Sequence, residues 1–88
     1  MANYKLVFRR SVAKDLRAIP KKDVARILAS IQTLASNPRP QDCEKLSAQE
    51  RYRLRQGNYR ILYEIQNELL IVTVVKVGHR SDVYRANR

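Results

Sequence analysis

Arg51-Tyr52-Arg53-Leu54-Arg55-Gln56-Gly57-Asn58-Tyr59-Arg60-Ile61-Leu62-Tyr63-Glu64-Ile65 reads as two strands and the turn that joins them. With the two-residue alternation of a strand, Arg51, Arg53 and Arg55 point to one side while Tyr52 and Leu54 point to the other. Gly57-Asn58 supplies a tight turn, and Tyr59, Ile61, Tyr63 and Ile65 return as one face of the second strand. The hairpin therefore has an apolar side to bury and a guanidinium-bearing side to leave open. A row of like charges on one sheet face repels itself unless an anion lies across it, and the planar fork of arginine fits phosphate best.

Working outward, Gln66-Asn67 turns the chain into Leu69–Val77, apolar on both faces up to Lys76, as in a central strand covered on both sides. Upstream, residues 3–9 partly alternate and read as a strand. Ser11 is the expected N-cap of a first helix carrying Val12, Leu16 and Ile19 at i, i+4, i+7, which stops at Pro20. Val24, Ile27, Leu28, Ile31 and Leu34 form the apolar stripe of a second helix. Asn37-Pro38-Arg39-Pro40 ends it, because a residue before proline avoids the helical region. Residues 38–49 are polar and irregular, with Leu46 as the anchor. The order βααβββ predicts an α+β fold: a small antiparallel sheet with two N-terminal helices packed on one face, in a single domain spanning residues 1–88.

Eighty-eight residues suffice for one small core. The 44% hydrophobic content supports a folded chain rather than a basic tail. The net charge of +10 favours a polyanionic partner. It is spread evenly: ten basic against five acidic residues in 1–50, and eight against three in 51–88. Arginine outnumbers lysine 12 to 6, a bias toward directed phosphate recognition. Cys43, the one cysteine, excludes an internal disulfide and fits a reducing compartment. No signal peptide is expected, and no apolar run approaches the ~20 residues that span a bilayer. A cytoplasmic protein with no membrane association is expected.

The second chemical segment is Gly78-His79-Arg80-Ser81-Asp82-Val83-Tyr84. Together with the hairpin it gives the pattern YRLR-x-G-x-YR-x-x-Y followed by V-G-HR-x-x-x-Y. On these residues the chain resembles the RelE/ParE superfamily of bacterial and archaeal toxins, and more closely its RelE ribonuclease branch. Length and element order match over nearly the whole chain. The resemblance implies a toxin of a type II toxin–antitoxin system that enters the ribosomal A site and cleaves mRNA there. Such toxins use the RNA's own 2′-hydroxyl as nucleophile, without metal or other cofactor. It also implies a cognate acidic, RelB-like antitoxin, the 70S ribosome and mRNA as partners, with the toxin monomeric when free and heteromeric with its antitoxin.

Carried over by position, the family's basic sheet residues fall on Arg51 and Arg53, where the best-known members have lysines. The phosphate clamp falls on Arg60, the C-terminal basic residue on Arg80 and the base-stacking tyrosine on Tyr84. Arg55 extends the RNA-binding row. Arginine does not shed its proton near neutrality, so the arginines bind and polarise the phosphate rather than deprotonate the 2′-hydroxyl. Histidine does exchange protons there, which makes His79 the expected proton carrier and Glu50 the other candidate base. Bland readings stand beside these. Arg60 could pair with Glu64 or Asp82, Tyr84 could pack on the sheet edge, and Tyr59 and Tyr63 share parity with core residues. Two other functions remain open: a ParE-like, non-catalytic inhibitor of DNA gyrase, and a basic module that binds nucleic acid without turnover.

Overall fold

A computed structural model describes residues 3–46 and 50–86, without the side chains of 84–86. Its elements are β1 (Lys5–Phe8), α1 (Arg10–Arg17), α2 (Lys21–Thr33), β2 (Cys43–Lys45), β3 (Arg51–Gln56), β4 (Tyr59–Gln66), β5 (Ile71–His79) and α3 (Arg80–Ala86). The strands form one sheet in the order β1-β5-β4-β3-β2. The α+β class and the two N-terminal helices on one face are as the sequence predicts.

The sheet is mixed rather than wholly antiparallel. β2 to β5 form an antiparallel meander, and β1 joins β5 in parallel, with Lys5 opposite Ile71 and Phe8 opposite Val74. Two elements escaped the sequence reading. β2 is only three residues long, too short for an alternation, and it exists through its register with Tyr52–Leu54. α3 falls in what reads as a polar tail, and its anchor is Val83, 1% exposed.

Other boundaries also move. Helix α1 begins at Arg10, and its N-cap is Arg9 without a side-chain cap, not Ser11. β5 starts at Ile71 rather than Leu69, because Gln66 pairs with Ile71 and leaves 67–70 as the turn. Leu69 is therefore 65% exposed, and Leu70 takes the left-handed backbone conformation at φ 54°.

The core lies between the helices and one sheet face. Val12, Ile27, Ile31 and Leu34 pack on Tyr52, Leu54, Ile61, Tyr63, Ile65, Val72, Val74 and Val77. These are the residues whose parity places them opposite the odd-numbered arginines. Leu28, expected in the helical stripe, is on the exposed side of α2. The Tyr52 and Tyr63 rings stack across the β3–β4 ladder at 5.7 Å, and the buried Tyr63 hydroxyl donates to the Pro38 carbonyl at 2.7 Å. Burial raises the Tyr63 pKa strongly, so this hydroxyl stays a donor. The second sheet face carries the arginines, and α3 covers part of it by packing on β5 and β4. No helix among the described residues is long and apolar enough to cross a membrane.

Candidate nucleic-acid interface

Strand register decides which arginines are neutralised. Arg51 stands opposite Glu64 and Arg53 opposite Glu44, and each pair forms an ion pair. Glu64 also reaches Arg9 at 3.4 Å. The third position differs: Arg55 faces Arg60, two like charges directly across the ladder. Arg55 is exposed and forms no ion pair among the described residues.

Arg60 is only 7% exposed. Its Nη1 donates to the carbonyls of Gly57 at 3.1 Å and Tyr59 at 2.9 Å, while Nε has no partner among the described residues. The tight turn makes this possible, since Gly57 adopts φ 59° and brings its carbonyl back over the strand. Neither Glu64 nor Asp82 pairs with it. A buried guanidinium facing only carbonyls is an incomplete arrangement that an anion would complete. The phosphate clamp expected from the resemblance is thus a side chain tucked against the hairpin, not one standing open on the sheet.

The second segment arrives at the same end of the sheet. Gly78 is the register partner of Arg60 on β5. A Cβ there would meet Val83 Cγ2 at 3.1 Å, so glycine is what lets α3 pack close. The Arg80 amide donates to the Asn58 carbonyl at 2.9 Å and ties the start of α3 to the hairpin turn. Arg80 is exposed and free of ion pairs among the described residues. Arg55, Arg60 and Arg80 thus gather around one turn although up to 25 residues separate them in sequence. The backbone of Tyr84 lies in α3, and its side chain lies outside the described residues.

His79 takes the opposite side. It pairs with Tyr59, their rings meet edge-on at 6.0 Å, and the Tyr59 hydroxyl donates to Asp23 Oδ2 on α2 at 3.1 Å. Desolvation, followed by the Asp23 hydrogen bond, raises the Tyr59 pKa. His79 Nδ1 lies 3.1 Å from Ser81 Oγ. The histidine and the arginines therefore share an end of the sheet but not a face. The link from His79 through Tyr59 to Asp23 has no local sequence signal, because Asp23 is 56 residues from His79 and Tyr59 has the parity of a core residue.

Glu50 sits at the far end of β3. Its carboxylate receives Lys45, Arg39, Asn67 and the Tyr52 hydroxyl. Lys45, then Arg39, holds its pKa at about 2. That network fastens the 38–46 loop to the β4–β5 turn. Among the described residues no three His, Cys, Asp or Glu side chains converge as a metal site would need.

A family model described as the ParE toxin of the parDE type II toxin–antitoxin system matches residues 6–84. Toxin RelG of Mycobacterium tuberculosis is 31% identical over 88 residues, 93% of this chain and 97% of its own length. Toxin RelE3 of Methanocaldococcus jannaschii is 32% identical over 85 residues, 91% and 94% of the two chains. Among solved structures, the archaeal RelE–RelB complex of Pyrococcus horikoshii superposes with a TM-score of 0.80 at 28% identity, covering 91% of this chain and 97% of that one. The RelBE2 toxin–antitoxin complex of M. tuberculosis superposes with a TM-score of 0.76 at 26% identity, covering 89% and 99%.

Proposed function

The chain belongs to the RelE/ParE superfamily of type II toxin–antitoxin toxins, and from that premise we propose that it is a ribosome-dependent endoribonuclease that cleaves mRNA in the A site. The observation that carries this reading is the Arg55/Arg60 pair beside Arg80, which has no ion pair among the described residues, whereas Arg51 and Arg53 on the same face are each paired with a glutamate. An RNA phosphate supplies the missing counter-charge. As the 2′-oxygen attacks, charge grows on the non-bridging oxygens. The Arg60 guanidinium, already held by the Gly57 and Tyr59 carbonyls, stabilises it without reorganising. Arg60 serves as the clamp, while Arg55 and the exposed Arg80 close over the phosphate. Tyr84, on α3, is the proposed stacking platform. Arg51 and Arg53 lie further along the same face and extend the track for the backbone.

His79 is the proposed proton carrier, as imidazole exchanges protons near neutrality. It is the last residue of β5, where the chain turns into α3, so an RNA bent over the sheet end passes both the arginines and the imidazole. No metal or cofactor takes part in this reading. The partners are the ribosome with its message and, before release, an acidic RelB-like antitoxin, as in the RelE–RelB complexes of similar fold. A surplus of ten positive charges suits both, and it makes association steeply salt-dependent.

The match to a ParE-type family model favours a second reading, gyrase inhibition without catalysis. Primer extension on translated mRNA and a supercoiling assay with the same protein separate the two. Discrete, codon-positioned cuts with normal supercoiling support the nuclease. Intact message with blocked supercoiling replaces it with the gyrase inhibitor.

A further inference from the structure

The helix side of the sheet end, where His79 points, holds a cavity of about 380 Å³. Asp23 and Arg26 come from the first turns of α2, Gln56 and Asn58 from the hairpin, and Tyr59 and His79 from the paired strand ends. Three of its polar side chains are each half used. Asp23 Oδ2 accepts the Tyr59 hydroxyl, which leaves Oδ1 open. Gln56 Oε1 accepts the Ser30 hydroxyl, leaving the amide NH2 as a donor. His79 Nδ1 meets Ser81, leaving Nε2. Arg26 is exposed and without an ion pair among the described residues.

This donor set discriminates among ligands. A lone phosphate would meet the Asp23 carboxylate. A metal ion would meet the Arg26 guanidinium and find too few ligands. An apolar side chain would leave four polar groups without partners. A planar heterocycle bearing both N–H donors and ring acceptors satisfies Asp23, Arg26 and Gln56, with the Tyr59 ring as an apolar wall. The volume lies at the lower end of the roughly 300–1,000 Å³ of small-molecule sites, which suits one nucleotide. A carboxylate in the first turn of a helix is favourable by itself, but that role requires neither the tyrosine nor the guanidinium.

We propose that this cavity receives one unstacked nucleobase, read on its edge by Asp23 and Arg26, while its phosphate leads back over the sheet end to Arg55 and Arg60. The proposal deepens the nuclease reading and takes from it the RNA as the source of the base. The cavity then selects which nucleotide occupies the site.

The test is a titration of the isotope-labelled free protein with each of the four ribonucleoside 5′-monophosphates, and with ribose 5-phosphate as the baseless probe. The nucleotides are expected to give saturable amide shifts at Arg26, Gly57, Asn58 and His79, with affinities that differ among bases. Ribose 5-phosphate is expected to move the Arg55 and Arg60 amides alone. Asp23→Asn retains an acceptor for Tyr59, and Arg26→Ala lies at an exposed position. Each should weaken the preferred nucleotide by about tenfold, as loss of one good base-edge contact does. Equal shifts from ribose 5-phosphate and the nucleotides, or no saturable shift in the cavity, would overturn the proposal. Base binding by a protein that leaves translated message intact would keep the pocket and remove the nuclease. Cleavage by a protein with no base-dependent shift would do the reverse.

Discussion

Replacing Arg55 by glutamine should stabilise the free protein, an unusual outcome for a change on a sheet. Arg55 and Arg60 face each other across the ladder with no carboxylate to share among the described residues, and Arg60 is buried. Like charges directly opposite in an antiparallel pair destabilise by roughly 0.2–1 kcal/mol, and glutamine removes that term while keeping the aliphatic stem and a polar end. For a domain of this size, 1 kcal/mol moves Tm by about 4–8 °C, so Arg55→Gln should raise Tm by roughly 1–8 °C. Thermal unfolding followed by circular dichroism at ~10 mM and ~200 mM salt is the assay, with the larger gain at low salt, where the Debye length approaches 30 Å. Arg51→Gln is the matched control. It breaks an ion pair with Glu64 rather than relieving a repulsion, so Tm should fall or stay unchanged. Millimolar phosphate should reverse the ranking by stabilising the wild type more than Arg55→Gln, because the ligand needs the charge that the folded chain leaves unpaired. A Tm for Arg55→Gln at or below wild type in low salt would refute the argument that this end of the sheet is an unfilled anion site.

Three further outcomes follow from contacts elsewhere. Glu50 has its folded pKa depressed from 4.5 to about 2, so its stabilisation is complete above pH 4.5 and is lost as pH falls toward 2. Tm measured between pH 5 and pH 2 should drop less steeply in Glu50→Gln than in wild type. Gly78→Ala sets a methyl 3.1 Å from Val83 Cγ2 and should cost about 1 kcal/mol by overpacking. Adding Val83→Ala should recover part of that loss, a coupling that a double-mutant cycle of denaturant unfolding reads directly. Tyr63→Phe removes the 2.7 Å bond to the Pro38 carbonyl in a buried site and should cost about 1–3 kcal/mol in the same assay.

Much of the fold was legible because the hairpin states its own geometry. The alternation from Arg51 to Ile65 predicted both the buried Tyr52/Leu54/Ile61/Tyr63 side and the basic side, and the helical stripes named Ile27, Ile31 and Leu34. Parallel pairing of β1 was not legible, since no local pattern tells a strand which distant edge it will join. Nor were β2 and α3, a three-residue strand and a short helix in which Val83 is buried. At the candidate site, alternation placed the arginines on one face but could not say which had a carboxylate opposite. That depends on register with Glu44 and Glu64, and it divides Arg51 and Arg53 from Arg55. The same parity rule, applied to β5, would have turned His79 toward Tyr59 and away from Arg60 had the Leu62/Tyr63 bulge been foreseen. A bulge carries no signature in this sequence.

The most direct test is single-turnover cleavage of A-site message on programmed ribosomes by the wild type and by Arg60→Gln, with circular dichroism confirming that the variant is folded. Wild type should yield discrete cuts, and Arg60→Gln should cleave about a hundredfold more slowly or less, as removal of one fixed donor to a developing oxyanion does. Equal rates for the two proteins, or no cutting by the wild type, would contradict the assignment of the Arg55/Arg60 end of the sheet as the place where RNA is held and broken.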